Sequence, residues 1–231
     1  MDGQDVDAQT FPIFGKTFDA LLFDMDGTLI NSIAATERVW GNWARRHGLD
    51  VAAFLPTMHG RRGIDTITAL DLPGVDPLAE AREIERGEID DVEGVVAIDG
   101  AIAFLSALPP DRWAIVTSAP VALARRRLEA AGIALPKTMV TSEDVKVGKP
   151  SPEGYLLAAA RLGVDPARCL VFEDVEAGVT AGESAGAGVV VVTATHADDL
   201  ATAHPSIDSY RQLRLEVAAG GLLSLALATT G

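Results

Sequence analysis

Short apolar runs alternate with helix-length segments along most of this 231-residue chain. Five of the runs have the length and apolar composition of buried strands, and they lie at residues 18–23, 113–117, 138–141, 169–172 and 188–192. The segments after the second, third and fourth runs each end at a glycine, a common residue just beyond a helix. The second of these segments is predicted to be a helix at residues 152–162 with Ser151 as its N-cap. This alternation predicts the α/β fold class, with a doubly wound parallel sheet that helices cover on both faces.

A long insertion separates the first two predicted strands. About ninety residues lie between them, which is far more than one crossover connection requires. Helical patterns occupy residues 33–47 and a stretch that begins at Asp76-Pro77, where an Asp cap precedes a Pro. We therefore predict a small helical domain inserted after the first strand.

These patterns divide the chain into a core, a cap and a terminal extension. The predicted parts are a loose N-terminal extension at residues 1–16, an α/β core at 17–30 and 98–231, and an inserted α-helical cap at 31–97. Linkers near Ile30 and Ile98 are expected to act together as a hinge over the carboxyl edge of the sheet.

The C-terminal segment carries a different pattern. Leucine and valine alternate with other residues on both sides of Gly220-Gly221. Such alternation is typical of half-buried strands, and paired glycines can supply the turn between them. We expect a β-hairpin at this end of the chain.

The charge balance excludes one class of partner. The sequence has 19 Lys plus Arg against 33 Asp plus Glu, a formal net charge of −14. A chain this acidic repels a phosphate backbone and lacks a basic stripe, so we expect no nucleic-acid partner. A small anionic substrate is still allowed, because a metal ion and one or two local cations set the field inside a cleft.

Three other features bear on location and assembly. The single cysteine, Cys169, excludes an intrachain disulfide, and the acidic amino terminus does not resemble a signal peptide. The apolar tract at 217–229 is shorter than the roughly 20 residues of a membrane span, and Gly220-Gly221 interrupts it. We expect a cytoplasmic protein with no membrane partner, and neither the cap nor the hairpin requires an oligomer.

Two aspartates follow the first predicted strand, in the segment Asp24-Met25-Asp26-Gly27-Thr28. Ligands bind at the carboxyl edge of open parallel sheets, and two carboxylates on a turn there can converge on one cation. Mg²⁺ prefers hard oxygens of this kind; one carboxylate could instead be a nucleophile and the other an acid and base. A plain acidic turn is the alternative. A calcium-binding EF-hand does not fit, because its loop needs a Gly at position 6 and a preceding helix.

Polar residues also follow the other predicted strands. The acidic pair Glu173-Asp174 ends the fourth strand, Thr117-Ser118 ends the second, and Lys149 lies in the loop after the third. Hydroxyls, backbone N–H groups and a Lys ammonium suit phosphate oxygens. If the fourth strand lies beside the first, both acidic clusters meet in one crevice. Taken singly, each feature is also compatible with a helix start or a solvated loop.

In combination these segments resemble the haloacid dehalogenase superfamily across nearly the whole chain. The four motifs of that family are matched, in chain order, by Asp24, Asp26 and Thr28, by Thr117, by Lys149, and by the pair Glu173 and Asp174. The resemblance implies a Mg²⁺-dependent enzyme that acts on a small-molecule phosphate ester.

The resemblance also implies a role for each matched residue. Asp24 would attack phosphorus and carry an aspartyl-phosphate, while Asp26 would protonate the leaving oxygen and later activate water. The Asp24 carboxylate, the Asp26 carbonyl and the Asp174 side chain would hold Mg²⁺, with Glu173 nearby. The phosphoryl oxygens would be held by Thr117, the Ser118 N–H and Lys149. Phosphoryl transfer requires positioning and charge neutralisation of this kind.

Several reactions occur on this family's fold, and single positions separate them. Dehalogenases resemble the chain in the nucleophile but lack an acid at the position of Asp26, so that residue favours phosphate esters. Phosphosugar mutases of the β-phosphoglucomutase type usually carry a histidine where this chain has Thr36, and they depart from Thr at the position of Thr28. The mutase and a non-enzymatic phosphoryl-binding regulatory module remain the alternatives to a phosphatase.

The predicted cap resembles a narrower group, the bacterial sugar phosphatases together with the glycerol-3-phosphatases and 2-deoxyglucose-6-phosphatases. The likeness rests on residues 40–48, 59–62 and 140–150. It implies a substrate that is a sugar or polyol phosphate, contacted in the cap by one or more of His59, Arg61 and Arg62. The alternative is that both arginines are solvated and that His59 caps a helix.

Overall fold

The computed structural model describes residues 11–12, 17–195 and 203–227. The strands, in chain order, are β1 (Phe11–Pro12), β2 (Ala20–Phe23), β3 (Ile30–Asn31), β4 (Val96–Ala97), β5 (Trp113–Val116), β6 (Met139–Val140), β7 (Cys169–Glu173), β8 (Gly188–Val192), β9 (Ser206–Ile207), β10 (Leu213–Val217) and β11 (Leu223–Leu227). The α-helices are α1 (Ile33–Arg46), α2 (Val51–Phe54), α3 (Gly63–Leu70), α4 (Pro77–Asp90), α5 (Ala101–Ala107), α6 (Val121–Ala130), α7 (Glu153–Leu162) and α8 (Glu176–Ser184).

Six strands form one parallel sheet in the order β6-β5-β2-β7-β8-β9. The predicted α/β class and parallel sheet are therefore confirmed. Strand β2 is central, with β5 on one side and β7 on the other. This places the first predicted strand directly beside the fourth.

Both faces of this sheet are buried, which explains why its strands read as continuous apolar runs. Leu21 and Phe23 of β2 belong to a hydrophobic cluster that includes side chains of α5 and α6. Ala20 and Leu22 point the opposite way, into a second cluster with side chains of α7 and α8. Helices thus cover both faces, as a doubly wound sheet requires.

Helices α1 to α4 follow β3 and have a hydrophobic cluster of their own. Trp40, Trp43 and Phe54 form its centre, with Ile67 and Ile84 packed beside them. The segments that lead into and out of these helices pair with each other, because β3 and β4 form a two-stranded antiparallel ladder. The domain boundaries at residues 31 and 97 remain our proposal.

The predicted N-cap residue of helix α4 is present, whereas the N-cap of helix α7 is one residue away from the predicted position. The Asp76 carboxylate accepts hydrogen bonds from the N–H groups of Leu78 and Ala79 at the start of α4. In α7 the N-cap is Pro152 and not Ser151, so the helix starts one residue later than predicted. The Ser151 hydroxyl still accepts a bond from the Glu153 N–H, at 3.3 Å.

The C-terminal hairpin is confirmed as β10 and β11, which pair along five residues each. Strand β1 pairs with the outer edge of β11, making a three-stranded antiparallel sheet. The prediction of a loose extension over residues 1–16 is therefore wrong for residues 11–12, because the open edge of a hairpin offers backbone partners. The rest of that prediction concerns residues 1–10 and 13–16, which lie outside the described residues.

Three predicted strands are shorter than expected. Strand β5 ends at Val116, one residue before its predicted end. Residue Phe18 pairs with Leu223 of the hairpin and so does not extend β2. Strand β6, at the edge of the sheet, keeps two of the four residues predicted for it. Among the helices in the described part of the chain, none has the length and apolar character needed to cross a membrane.

The register of the central strands decides what meets at the carboxyl edge of the sheet. Phe23 at the end of β2 pairs with Phe172 of β7 and with Ile115 of β5. The residues that follow these positions therefore leave the sheet side by side.

Candidate active site

An acidic cluster lies where β2 and β7 end. Asp24, Glu173 and Asp174 each offer a carboxylate oxygen, and these oxygens lie within 4.8 Å of one another. All three residues are buried. The two acidic stretches predicted to meet in one crevice therefore do so, although 150 residues separate them in the chain.

Lys149 provides a cation within this cluster. Its ammonium contacts the carboxylate of Asp24 and lies 2.5 Å from Oε1 of Glu173. Burial alone would lower the pKa of Lys149, but the two carboxylates raise it above its usual value, so the side chain is charged. Lys149 thus offsets part of the negative charge that the acidic residues bring together.

Burial and mutual repulsion oppose the ionisation of the acidic groups. Burial raises the pKa of Asp24 well above its usual value, and the nearby Glu173 and Asp174 carboxylates raise it further against the opposing effect of Lys149. Burial, with the charge of the Asp174 carboxylate, also raises the pKa of Glu173 against the opposing effect of Lys149. Carboxylates crowded in this way bind a cation well, because a positive charge removes the repulsion that opposes their ionisation.

Two glycines make room for the carboxylates. Gly27 has a φ of +88°, and a β-carbon there would lie 1.9 Å from Oδ2 of Asp174. A β-carbon on Gly178, in the first turn of α8, would lie 2.0 Å from Oε1 of Glu173. No larger residue fits at either position without moving a carboxylate.

Two hydroxyl groups orient the acidic pair at the end of β7. Tyr155 of α7 donates its phenolic hydrogen to Oε1 of Glu173 at 2.6 Å. Thr28 donates to Oδ1 of Asp174 at 3.0 Å. The sequence did not indicate Tyr155, because an aromatic residue on a helix is ordinarily part of the core.

Asp26 lies on the other side of the site and is not part of the acidic cluster. Its Oδ1 accepts hydrogen bonds from the Ser32 hydroxyl at 2.6 Å and from Nη1 of Arg127 at 2.9 Å. Its side chain is 29% exposed and lines the cavity that is described below. Of the two aspartates, Asp24 is therefore the one in the acidic cluster, whereas Asp26 lies outside that cluster.

Arg127 is a site residue that sequence reasoning missed. It lies on α6 among buried positions, Leu123, Ala124 and Leu128, and its own side chain is 5% exposed. An arginine on the buried face of a helix is unusual, since charged residues are almost never buried unless paired. That position in the helical pattern was the available signal.

The hydroxyl groups of Thr117 and Ser118, the residues after β5, both have partners within the protein. Oγ1 of Thr117 accepts a hydrogen bond from the Ala119 N–H at 3.0 Å. The Ser118 hydroxyl donates to the carbonyl of Gly60 at 2.9 Å. Ser118 therefore links the core to the loop that carries His59, Arg61 and Arg62.

A cavity of about 420 Å³ lies over these residues, between the sheet edge and helices α1 to α4. Its floor includes Asp24, Asp26 and Asp174, whereas Lys149 lies behind them and lines a small adjoining cavity with Thr117 and Ser118. The wall from the inserted helices includes Trp40, Thr36, Met58, Ile64, Glu85 and Glu88. The cavity is therefore polar at its floor and mixed along its wall.

The three residues predicted for substrate contact all line this cavity, with different surroundings. Nε2 of His59 lies 3.7 Å from Oε1 of Glu37. The Arg62 guanidinium is paired with the Asp65 carboxylate at 2.6 Å and also donates to the carbonyl of Val145. Arg61 is exposed and has no side-chain partner among the described residues. Its guanidinium is therefore the free cation of this loop.

Comparison with known proteins places the chain among phosphate-releasing enzymes. The model of the haloacid dehalogenase-like hydrolases matches residues 18–186. Hexitol phosphatase A of Escherichia coli is 46% identical over 178 residues, which are 75% of this chain and 82% of that protein. Glycerol-1-phosphate phosphohydrolase 2 of Saccharomyces cerevisiae is 35% identical over 77% of this chain and 75% of its own length. A crystal structure of a hydrolase of this class from Entamoeba histolytica shares the fold, with a TM-score of 0.73 at 24% identity, over 85% and 95% of the two chains.

Proposed function

Because the chain belongs to the haloacid dehalogenase-like hydrolases and is a phosphoric monoester hydrolase, we propose that it removes phosphate from small sugar or polyol phosphates with Mg²⁺ as cofactor. The convergence of Asp24, Glu173 and Asp174 at the carboxyl edge of the sheet, with a cavity over Asp24 and Asp174, carries this proposal. It supplies a nucleophile, ligands for a divalent ion and room for a small ester in one place.

The residues present fit a magnesium ion. The donors are carboxylate oxygens, which are the ligands that Mg²⁺ prefers, and three carboxylates with one Lys ammonium leave a net negative charge. Because Gly27 and Gly178 have no side chains, the carboxylates of Asp174 and Glu173 have room to lie in the acidic cluster. The ion would supply charge neutralisation for the carboxylates and for the phosphoryl oxygens.

Asp24 is the residue that we propose as the nucleophile. Its carboxylate oxygen would attack phosphorus, forming an aspartyl-phosphate while the bond from phosphorus to the ester oxygen breaks. The Lys149 ammonium, which contacts Asp24, would stabilise the negative charge of the phosphoryl oxygens together with Thr117 and Ser118. The contact between Lys149 and Asp24 supports these roles, because it brings a cation beside the attacking carboxylate.

Asp26 is the residue that we propose as acid and base. It would donate a proton to the ester oxygen as the alcohol leaves, and then take a proton from the water that attacks the aspartyl-phosphate. The second attack breaks the bond to Asp24 and releases inorganic phosphate. Asp26 suits this role because its carboxylate faces the cavity and is held by Ser32 and Arg127.

The sugar or polyol class of substrate is proposed from the relatives and from the cavity. One relative is named as a hexitol phosphatase and another as a glycerol-1-phosphate phosphohydrolase. The cavity wall offers hydroxyl-binding groups in His59, Arg61 and Glu85, beside apolar surface from Trp40 and Met58. A small polyhydroxylated chain fits such a mixture better than an apolar ester does.

A phosphosugar mutase is the second candidate. It needs a group near the cap that can exchange a proton with a sugar hydroxyl during transfer between positions. The residue at that place, Thr36, is buried and its hydroxyl oxygen accepts from Nη2 of Arg127 at 2.6 Å. A threonine held in this way is a poor acid or base, which favours hydrolysis.

A phosphate-release screen tests the proposal. Sugar, polyol and nucleotide monophosphates would be incubated with the wild-type protein in Mg²⁺, in EDTA, and with Asp24→Asn as the matched control. We expect release from sugar or polyol phosphates only for the wild-type protein in Mg²⁺. Equal release by Asp24→Asn would refute the site, and no release from any ester would favour the regulatory module. Isomerisation of a hexose 1-phosphate without free phosphate would favour the mutase.

A further inference from the structure

Arg127 connects three acidic or hydroxyl groups from three parts of the chain. Nη1 donates to Oδ1 of Asp26 at 2.9 Å, while Nη2 donates to Oγ1 of Thr36 at 2.6 Å and to Oε1 of Glu88 at 2.9 Å. Asp26 follows β2 in the core, whereas Thr36 lies on α1 and Glu88 on α4. The helices inserted between β3 and β4 therefore hold the arginine that in turn holds Asp26.

The buried ion pair of Arg127 and Glu88 is an inefficient way to stabilise the fold. Arg127 and Glu88 are both buried, and Nε of Arg127 has no hydrogen-bond partner among the residues that the structure describes. Buried ion pairs often contribute little or nothing relative to apolar residues of the same size, because desolvation offsets their attraction. An unsatisfied guanidinium nitrogen adds to the cost. Stability alone therefore does not account for an arginine at this position.

The geometry instead accounts for the orientation of Asp26. A carboxylate on a turn can rotate about its side-chain bonds, and only some of those rotamers face the ester oxygen. Ser32 and Arg127 both bond to Oδ1, so the second oxygen, Oδ2, is the one left to exchange a proton. The guanidinium is planar and rigid, which makes it suited to fixing a carboxylate in one orientation.

We propose that Arg127 is a positioning residue that presents Oδ2 of Asp26 to the ester oxygen, and that Glu88 and Thr36 of the inserted helices keep Arg127 in place. The inference rests on the proposed function of Asp26. It adds that the inserted helices take part in the proton transfer step, although neither Glu88 nor Thr36 exchanges the proton itself. Asp26 still gives its proton to the leaving oxygen, and no other bond changes.

The leaving group distinguishes positioning from a structural role. An alkoxide needs a proton as it leaves, whereas the nitrophenolate of p-nitrophenyl phosphate is stable as an anion and needs none. The ratio kcat/KM covers the steps up to formation of the aspartyl-phosphate, before water is activated. A variant that misplaces Asp26 should therefore lose kcat/KM for an alkyl phosphate much more than for p-nitrophenyl phosphate.

The experiment compares Arg127→Lys with the wild-type protein on both esters, using glycerol 1-phosphate or the alkyl phosphate turned over fastest in the screen above. General acid catalysis is worth about 10²- to 10⁴-fold. We expect Arg127→Lys to lower kcat/KM by at least about 30-fold for the alkyl ester, less than the full effect because Asp26 is misplaced and not removed, and by less than about 3-fold for the aryl ester. Arg126→Lys is the matched control, because Arg126 is on the same helix and pairs with Glu129 at the surface. It should leave both values unchanged.

Glu88→Gln and Thr36→Val test the same inference if Arg127→Lys does not fold. Each removes one of the groups that hold Arg127 and keeps the size of the side chain, and we expect the same selective loss at smaller magnitude. Equal losses for both esters, or no loss for either, would overturn the inference in any folded variant. If the wild-type protein and Asp24→Asn cannot be told apart, the proposed function itself has failed, and that outcome is distinct.

Discussion

The α-carbon of Gly178 lies so close to Glu173 that a β-carbon on it would be 2.0 Å from Oε1 of that carboxylate. Glu173 ends β7, and Gly178 is in the first turn of α8, so the helix passes directly over the end of the strand. The buried carboxylate occupies the space that a side chain would otherwise fill. A glycine in a helix, which is ordinarily unfavourable, is here required by the site.

Gly178→Ala should therefore disrupt the site despite improving helix propensity. Alanine in a helix is normally favoured over glycine by about 1 kcal/mol. Here we expect overpacking to destabilise the fold by about 1–3 kcal/mol and to raise the Mg²⁺ concentration needed for activity. Gly41→Ala in α1 is the control, because its β-carbon would meet neighbours at ordinary distances of 3.5 and 3.6 Å. Thermal unfolding and Mg²⁺ titration would measure both effects; identical behaviour of the two variants would contradict the expectation.

Tyr155→Phe should weaken metal binding. The phenol donates to Glu173 at 2.6 Å, and its pKa is raised well above the usual value by burial and by the nearby carboxylates, so it remains a donor at any physiological pH. Groups that orient a metal ligand typically contribute about 10- to 100-fold in metal affinity or activity. We expect a shift of that size in the half-saturating Mg²⁺ concentration.

Tyr210→Phe is the matched control for that variant. Tyr210 is also buried, but its hydroxyl donates to the backbone carbonyl of Thr28, at 3.2 Å, and not to a carboxylate. Removal of this hydroxyl should lower the free energy of unfolding by about 1 kcal/mol and leave the half-saturating Mg²⁺ concentration close to the wild-type value. A larger shift for Tyr210→Phe than for Tyr155→Phe would show that the hydroxyl of Tyr155 does not orient Glu173.

Arg61→Ala and Arg62→Ala should have different effects although the residues are adjacent. Arg61 lines the cavity without a side-chain partner among the residues that the structure describes, so its guanidinium is free to contact substrate. We expect Arg61→Ala to raise KM by about 10-fold, the equivalent of one charge-assisted hydrogen bond, with little change in stability. Arg62 is paired with Asp65 and bonded to Val145, so Arg62→Ala should lower the melting temperature. Steady-state kinetics and thermal unfolding would separate the two; an unchanged KM for Arg61→Ala would remove it from the site.

Cys169 should resist thiol reagents until the protein unfolds. Burial raises the pKa of its thiol to about 12, because a thiolate would lose its hydration there, and the residue is fully enclosed in β7. The thiolate is the reactive form, so labelling by a disulfide reagent at pH 8 should be slow in the native protein and fast in denaturant. Rapid labelling of the folded protein, with no loss of structure, would contradict this burial.

The sequence carried enough local information to predict the elements and most of the site. Apolar runs and their glycine stops indicated the strands and helices, because burial and helix ends depend on neighbouring residues. Asp24, Asp26, Thr117, Lys149 and the pair Glu173-Asp174 were named from their places at strand ends. Their meeting at one edge followed from the rule that parallel strands end together, once β2 and β7 were neighbours.

Tertiary structure alone decided which groups orient those residues. Arg127 bonds to Asp26 from 101 positions away, and the Glu173 partners Tyr155 and Gly178 lie on separate helices. The pairing of residues 11–12 with the hairpin likewise depends on which backbone edge is left open. The local sequence determines which positions along a strand or helix are buried. A contact between side chains that are distant in the chain forms only when whole elements have packed together. For this protein, the sequence by itself therefore determined the elements and the polar groups of the candidate site, and the packing of the elements determined how those groups are held.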